Sequence, residues 1–505
     1  MSYQLDKVQI EPEIEETKPQ TQPIAKRRTR RSVLGAMTSA TALLGMVEES
    51  EAQSTPFRSV ELKLLDRVTY GPTQADLTLI TQMGFGPYLE QQLAMTASGD
   101  SVCEAEVKRR WPHLTKTAKQ IYPIEPGWEV WEGFRDSILY RQAFSKRQLH
   151  EKMCEFWRDH FNIYGYKVGH YLLMPDYNNV IRKNALGKFP DMLWASAHSA
   201  AMMQYLDNAS SYGGNPNQNY AREIMELHSM GVDGGYTQND VVDVTSCFTG
   251  YTFEWDSNQP KGLEWIYSDW MHADGVKHVL GRTIPAGGGI KDAETVVRIL
   301  ATHPSTARFL SKKLIRWFLG EGTPATLLNK VSETYMRTGG DIKAMLRDIL
   351  TPANITAAKP KLKRPGHLFI GCLRAMNPTV ESFSWLRWGY MNISGQEIFG
   401  WATPDGMPDK TTHWQGLLLP KWNFFFSGMS GSFNSQFRFD LKRAIGTRAS
   451  AQAVADRIDA IFFLSKMPTS EKDRIVAYLR RRPITDDTVR EAAAIALCMP
   501  SYQWF

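Results

Sequence analysis

Apolar side chains recur at helical spacing along much of the chain. In residues 149–164 they recur at every third or fourth position, and His160 falls on the same face as Met153 and Trp157. Further helices are predicted over residues 84–93, 130–150, 189–206, 303–318 and 341–350. The pattern therefore predicts a mainly α protein, with one large multi-helix domain and long loops. A division of this domain near residue 355 is the alternative.

Polar residues form a stripe on another predicted helix, which begins at Asn219 and is expected to end at Gly231. Asn219, Glu223 and Glu226 recur at i, i+4 and i+7, so their side chains lie along one face. Apolar residues repeat this spacing one position further on, about 100° around the helix. The polar stripe thus borders the face that is expected to pack against the core.

A glycine-rich turn and a second helix are predicted directly after Gly231. Thr237 and Asp240 have the spacing of a capping box, with Asp in place of the usual Glu or Gln. The second helix is expected to run to Gly250. A loop of Ser, Gly and Asn residues at 208–218 precedes the polar stripe, and loops of this kind often contribute to binding sites.

The N-terminal segment 1–52 has the organisation of an export signal. Residues 1–25 are polar, acidic and proline-bearing, which predicts disorder. Arg30 and Arg31 then precede a mildly apolar run at 36–47, and Ser50-Glu51-Ala52 provides a small-x-small cleavage site. This order is typical of a twin-arginine signal. The alternative is a basic tail beside a short apolar helix.

An export signal of this type predicts where the protein works and one of its partners. The partner is the twin-arginine export machinery, and the expected location is periplasmic or extracellular. The apolar run is too short to be a stable membrane anchor, so no transmembrane span is expected after cleavage. The mature helical domain would then comprise residues 53–505.

Charge and cysteine content exclude several other classes of protein. The formal net charge is +6 over 505 residues, without a compact basic run interleaved with aromatic residues in the body of the chain, so nucleic-acid binding is not expected. The five cysteines are scattered and form no C-x-x-C motif, which disfavours a zinc ribbon or a redox pair. Most are interpreted as small buried hydrophobic residues.

Several motifs resemble a bacterial family catalogued as domain of unknown function 1800, from about Leu64 to the C-terminus. The helix and turn at 219–250 are similar to its pattern N-x-A-R-E-x-x-E-L, a glycine turn, Y-T-x-x-D-V and T-G. Residues 151–161 fit its pattern E-K-x-x-x-F-W-x-x-H-F. His272 and Lys277 belong to a segment similar to H-D-x-G-x-K, with the acid at Asp274, one place later. The resemblance implies a mostly helical secreted protein and no particular chemistry.

The first functional hypothesis is a metal-dependent exported enzyme. Glu223 and Glu226 are its candidate catalytic residues, because two carboxylates beside an apolar face are costly to bury unless they are paired or bind a metal. With His160 and His272 they are also candidate ligands of a divalent metal ion. Mixed carboxylate and imidazole ligands suit iron, manganese or zinc. The cofactor is otherwise unknown.

The second hypothesis is a non-catalytic scaffold or binding protein of the cell envelope. Arg222 would then pair with Glu226 across one helical turn, and the histidines would be core or capping residues. His303, just before a proline at a helix entrance, is either an N-cap or a loop ligand.

Other polar residues and one glycine run in the body of the chain also have predicted roles. Further candidate site residues are Asn219, Asp240, Lys277 and His303. Lys312, Lys313 and Arg316 are interpreted as a solvated helix face. The run Gly287–Gly289 is interpreted as a flexible loop, because it lacks the spacing of a phosphate-binding loop.

Overall fold

Helices make up most of the structure, as the spacing of the apolar side chains predicts. The structure is a computed structural model that describes residues 59–430, 436–438, 444–445 and 450–505. The prediction of a mainly α fold is confirmed for these residues. The export signal at Arg30 and Arg31, with the segment before it and the cleavage site after it, lies outside the described residues.

Longer connections, at residues 206–218 and 227–237, flank the helix Asn219–Glu226 in the first half of the chain. Its α-helices are Val60–Val68, Gln74–Met83, Phe85–Ala94, Ser101–Arg110, Ala118–Ile121, Gly127–Phe144, Gln148–His160, His170–Asp176, Phe189–Ala197, Ala200–Tyr205, Asn219–Glu226 and Gln238–Phe248. A π-helical turn, Tyr177–Arg182, continues directly from His170–Asp176.

Helices also dominate the second half of the chain. Its α-helices are Ile290–Ala301, Pro304–Leu319, Ala325–Thr338, Ile342–Ile349, Pro352–Ala357, Pro365–Met376, Ser384–Leu386, Thr411–Trp414, Leu418–Met429, Ala451–Phe462, Thr469–Arg480, Asp486–Cys498 and Pro500–Gln503. A second π-helical turn spans Arg387–Asn392.

The strands of the described residues form three small antiparallel sheets of two strands each. The pairs are Tyr251–Phe253 with Trp265–Tyr267, Lys277–Val279 with Arg282–Ile284, and Thr379–Val380 with Phe437–Arg438. Two of these hairpins occupy the connection between residues 250 and 290. They hold the segment of His272 and Lys277 against the helical core.

Two long predicted helices are each divided by a serine. The predicted helix 130–150 is interrupted at Ser145, whose hydroxyl accepts a hydrogen bond from the backbone N–H of Arg147 at 3.0 Å. The predicted helix 189–206 is interrupted at Ser199, whose hydroxyl accepts from the N–H of Met202 at 3.0 Å and caps a new helix. Serine hydroxyls compete with the helical backbone for its N–H groups, and apolar spacing does not record this.

Helix Gln148–His160 is buried on nearly all sides and brings charged groups into the core. Glu151 accepts from a guanidinium N–H of Arg182 at 2.7 Å, and Glu155 lies 2.9 Å from Nε2 of His367. Buried charges are tolerated when they are paired in this way. The helix ends at His160, four residues before the predicted end at residue 164.

Contacts cross residue 355 and join the two sides of the predicted boundary. A guanidinium N–H of Arg67 donates to the backbone carbonyl of Lys359 at 2.6 Å, and Arg364 donates to Asp159 at 2.5 Å. Residues 54–505 group as one compact unit. Residue 355 lies inside this unit.

Two further sequence expectations concern membranes and thiols. Every helix in the described part of the chain is too short or too polar to cross a bilayer. All five cysteines are buried free thiols, which confirms that they pack as small hydrophobic residues.

Candidate functional site

The helix that carries the polar stripe is shorter than predicted. It spans Asn219–Glu226, and the prediction that it continues to Gly231 is wrong. The N–H of His228 bonds to the carbonyl of Glu223, and the N–H of Met230 to that of Met225, so the last turn widens. Gly231 does have the expected positive φ, at 84°. A Cβ there would lie 2.7 Å from the ring of Phe309, so the close packing also requires glycine.

Glu223 is the member of the stripe with the most perturbed environment. Its half-buried carboxylate forms no hydrogen bond or ion pair with any described residue, whereas Glu226 accepts from the hydroxyl of Tyr236 at 3.1 Å. Burial, followed by the negative charges of Glu226 and Asp405, raises the pKa of Glu223 to about 6. Asn219 is exposed and donates to Asp207 at 3.3 Å.

Arg222 does not pair with Glu226, contrary to the arrangement expected for a scaffold. Its guanidinium donates instead to the amide oxygens of Gln238 at 3.2 Å and Gln218 at 3.5 Å. The positive charge of Arg222 only partly offsets the effects that raise the pKa of Glu223. The stripe therefore carries two carboxylates without a directly bound cation among the described residues.

His160 is buried, and both of its ring nitrogens have partners. Nε2 donates to the backbone carbonyl of His228 at 3.0 Å, and Nδ1 accepts from the ammonium group of Lys313 at 2.9 Å. Burial and the charge of Lys313 hold the pKa of His160 well below its usual range. His160 is therefore a neutral imidazole that is fixed by two hydrogen bonds, as is common for a histidine on an apolar face.

Lys313 is a functional candidate that the sequence interpretation missed. It is half-buried rather than part of a solvated face, and burial lowers the pKa of its ammonium group to about 8. The neighbouring Lys312 is exposed, as expected. The apolar ring of Phe309 lies 5.4 Å from the Lys313 nitrogen and provides a cation–π contact.

A cavity of about 240 Å³ opens beside His160 and Lys313. Its walls come from helix Gln148–His160, helix Pro304–Leu319 and the loop 405–410. The loop can approach so closely because residue 406 is glycine. Gly406 has a φ of 72°, and a Cβ at this position would lie 1.8 Å from the backbone oxygen of Asp159. Asp405, whose charge acts on Glu223, also lines this cavity.

His272 and Lys277 form a separate buried cluster with Asp292. Nε2 of His272 lies 3.2 Å from the Asp292 carboxylate, and the Lys277 nitrogen lies 2.5 Å from the same oxygen. Nδ1 of His272 lies 2.9 Å from the backbone oxygen of Thr249. The acid that pairs with His272 is thus Asp292 and not Asp274. A Cβ at Gly288 would lie 1.9 Å from Asp292, so the glycine run closes over this carboxylate.

Asp240 and His303 have roles at helix ends. Asp240 accepts from the N–H of Thr237 at 2.8 Å, which completes the predicted capping box, and from the N–H of Leu280 at 2.6 Å. Nδ1 of His303 accepts from the N–H of Ser305 at 3.2 Å. Of the two roles considered for His303, the N-cap is the one observed.

The four predicted metal ligands do not converge on one point. Among the described residues, the ligand atoms of one group lie within 4.8 Å of one another, those of His150, Glu151 and Cys154. The guanidinium of Arg182 already occupies Glu151 in that group, at 2.7 and 2.9 Å. The metal set of His160, Glu223, Glu226 and His272 stays a prediction, and binding through either histidine would require it to give up a hydrogen bond.

The fold and the site together define a mainly α-helical protein with a half-buried carboxylate at Glu223 and a polar cavity lined by Asp405, whose charge acts on Glu223. Comparison of the sequence with protein families assigns the protein to one of them. A family model described as "Protein of unknown function (DUF1800)" matches residues 63–504, and the chain belongs to this family. Comparisons with curated proteins and with solved structures give no match.

Proposed function

We propose that the protein is exported by the twin-arginine route and acts outside the cytoplasm as an enzyme with Glu223 as its acid–base group. The export step is supported by the order of charged, apolar and small residues in segment 1–52. The catalytic step is supported by one observation above all. Glu223 is a half-buried carboxylate without a hydrogen-bond partner among the described residues, and its pKa is raised to about 6.

A carboxyl group with this pKa exchanges its proton near neutral pH. A general acid or base is most effective when its pKa lies close to the working pH, and partial burial beside other carboxylates is the usual means of raising it. Glu226 and Asp405 provide the neighbouring charges here. In this proposal Glu223 takes a proton from the substrate, while Glu226, held by Tyr236, maintains the local negative potential.

In a second version of the proposal, the enzyme also requires a divalent metal ion as its cofactor. The negative charges of Glu226 and Asp405 act on Glu223, and a cation bound beside Glu223 would offset them. The ligand atoms of these three carboxylates do not lie within 4.8 Å of one another, so a bound metal would require their side chains to move closer together. The ion would keep Glu223 ionised by lowering its pKa. Oxygen ligands favour magnesium, manganese or calcium over zinc.

A non-catalytic envelope scaffold is the alternative, and one group of contacts favours it. Asp240 and His303 cap helices, and His272 and Lys277 surround one buried carboxylate. Structural hydrogen bonds thus account for these four candidates. They do not account for Glu223.

The decisive experiment measures the Glu223 pKa and the metal content of the same preparation. Mature protein from the exported fraction is titrated by NMR of its carboxyl carbons, and its metals are determined by elemental analysis. The enzyme proposal expects one glutamate with a pKa near 6 that disappears in Glu223→Gln, or a bound divalent ion that this variant loses. An ordinary pKa together with metal-free protein would favour the scaffold.

A further inference from the structure

The cavity beside Lys313 contains hydrogen-bond donors that lack acceptors. Nε of Arg316, Nε1 of Trp317 and Nε of Arg364 are buried, and none of them has a hydrogen-bond partner in the described part of the chain. All three residues line the cavity. Trp317 is 5% exposed and Arg364 is 2% exposed, so both side chains lie almost entirely inside the protein. Leaving several buried donors unpaired is unfavourable.

Two half-buried cations of the cavity also lack a carboxylate partner among the described residues, as does the exposed Lys410. Lys313 and Arg316 form no ion pair among the described residues, although both line the cavity three positions apart on helix Pro304–Leu319. An ammonium group has three protons to donate, and among the described residues Lys313 donates to His160 alone. The other hydrogen-bonding capacity of both cations is available to a ligand.

Two of the three acids that line the cavity are paired with cations. Asp159 accepts from Arg364 at 2.5 Å, and Asp409 accepts from the ammonium group of Lys361 at 2.9 Å. Asp405 accepts from Nε1 of Trp401 at 3.0 Å and from the hydroxyl of Thr403 at 2.6 Å. Asp159 and Asp409 are thus paired with cations, whereas Asp405 bonds only to neutral donors among the described residues. The other polar side chains of the cavity are positively charged or hydrogen-bond donors.

We infer that this cavity binds the anionic group of a small molecule, a carboxylate or a phosphate, through Arg316, Lys313 and the indole N–H of Trp317. A guanidinium group forms two parallel hydrogen bonds with either anion, and a lysine adds a point charge. The volume of about 240 Å³ corresponds to roughly eight water molecules at about 30 Å³ each. It therefore accommodates a small anion or the charged end of a longer ligand.

The inference deepens the proposed function by naming the class of substrate, and it rests on that proposal only for what happens after binding. Asp405 connects the cavity with the proposed catalytic carboxylate, since it lines the cavity and its charge acts on Glu223. Anion binding itself does not require Glu223 to be catalytic.

Calorimetry on the full mature chain tests the inference, with inorganic phosphate and succinate as probes and sodium chloride at matched ionic strength as the reference. We expect one of the probes to bind at millimolar concentration or below, and Arg316→Gln to weaken that binding at least tenfold. The matched control is Lys312→Gln, which removes a charge from the exposed neighbouring position and should bind as the wild type does. The probe that binds more tightly identifies the anion.

Two further variants keep the result interpretable. Arg316→Lys retains the charge but removes the Nε donor, so it should fold even if the glutamine variant does not, and it should weaken binding several-fold. Glu223→Gln should retain anion binding, because Glu223 does not line the cavity, so a failure of the catalytic proposal is distinguishable from a failure of this one. Absence of binding by the wild type, or equal binding by Arg316→Gln and Lys312→Gln, would overturn the inference and indicate a cavity filled by water only.

Discussion

Replacement of Glu223 by glutamine should make the protein more stable at pH values at which the wild-type carboxylate is ionised, and should have little effect at lower pH. Glutamine preserves the shape and resembles the protonated acid. In the wild type, burial and the charges of Glu226 and Asp405 oppose ionisation and raise the Glu223 pKa to about 6. Removing the charge removes this cost. A gain of stability on mutation is typical of groups that are kept for function.

The size of the effect follows from the difference between the folded and unfolded pKa. A carboxyl with a pKa of about 6 when folded, and about 4.3 when unfolded, destabilises the fold by roughly 2 kcal/mol once it is ionised in both states. Solvent screens a half-buried group, so the expected penalty is about 1 kcal/mol.

The pH dependence has a definite sign. The folded state holds the proton more tightly than the unfolded state, so wild-type stability falls as pH rises from about 4 to about 6. The destabilisation of the wild type by ionised Glu223 is absent below about pH 4 and reaches its full value above about pH 6. Glu223→Gln should therefore match the wild type near pH 4 and exceed it by about 1 kcal/mol at pH 7 to 8.

Urea denaturation at several pH values, on protein treated to remove any bound metal, measures the difference directly. Glu333→Gln, at an exposed position, is the matched control and should change stability little at any pH. A loss of several kcal/mol in Glu223→Gln at neutral pH would contradict the reasoning, because it would mean that the carboxylate has a stabilising partner.

Three other changes have defined outcomes. Conversion of Arg30 and Arg31 to lysines keeps the charge but should block recognition by the export machinery, so unprocessed precursor accumulates in the cytoplasm and is detected by cell fractionation. Gly406→Ala should cost at least about 2 kcal/mol in urea denaturation and abolish anion binding, because the loop cannot keep a φ of 72° with a Cβ 1.8 Å from a backbone oxygen. Lys277→Met should cost about 3–5 kcal/mol in the same assay, because it leaves the carboxylate of Asp292 buried without its cation.

Each of these changes has a matched control in the chain. Conversion of Arg27 and Arg28 to lysines, outside the paired motif, should leave export intact, and equal precursor accumulation in both variants would refute the signal. Gly275→Ala places a Cβ in open space and should be nearly neutral. Lys330→Met breaks an ion pair between an exposed lysine and the half-buried Asp348, and should cost no more than about 1 kcal/mol. A Lys277→Met variant no less stable than this one would contradict the buried-pair argument.

Local interactions explain the features that could be predicted from the sequence alone. Apolar spacing predicts the helices because the face that packs against the core repeats every three to four residues. The capping box of Thr237 and Asp240 was predictable for the same reason, since both partners lie within one helical turn. The polar stripe of Glu223 and Glu226 beside the core also follows from spacing, and its half-buried position agrees with this.

Tertiary packing decided the features that spacing does not contain. Lys313 lies on a face that looked solvated, yet it bonds to His160, 153 positions earlier in the chain. Asp292 rather than Asp274 meets His272 because a hairpin and a glycine turn bring distant segments together. Charge partners at such separations leave no periodic signal in a single sequence. The burial that raises or lowers a pKa depends equally on every segment packed around the group, so the chemistry of Glu223 and Lys313 arises only in the folded chain.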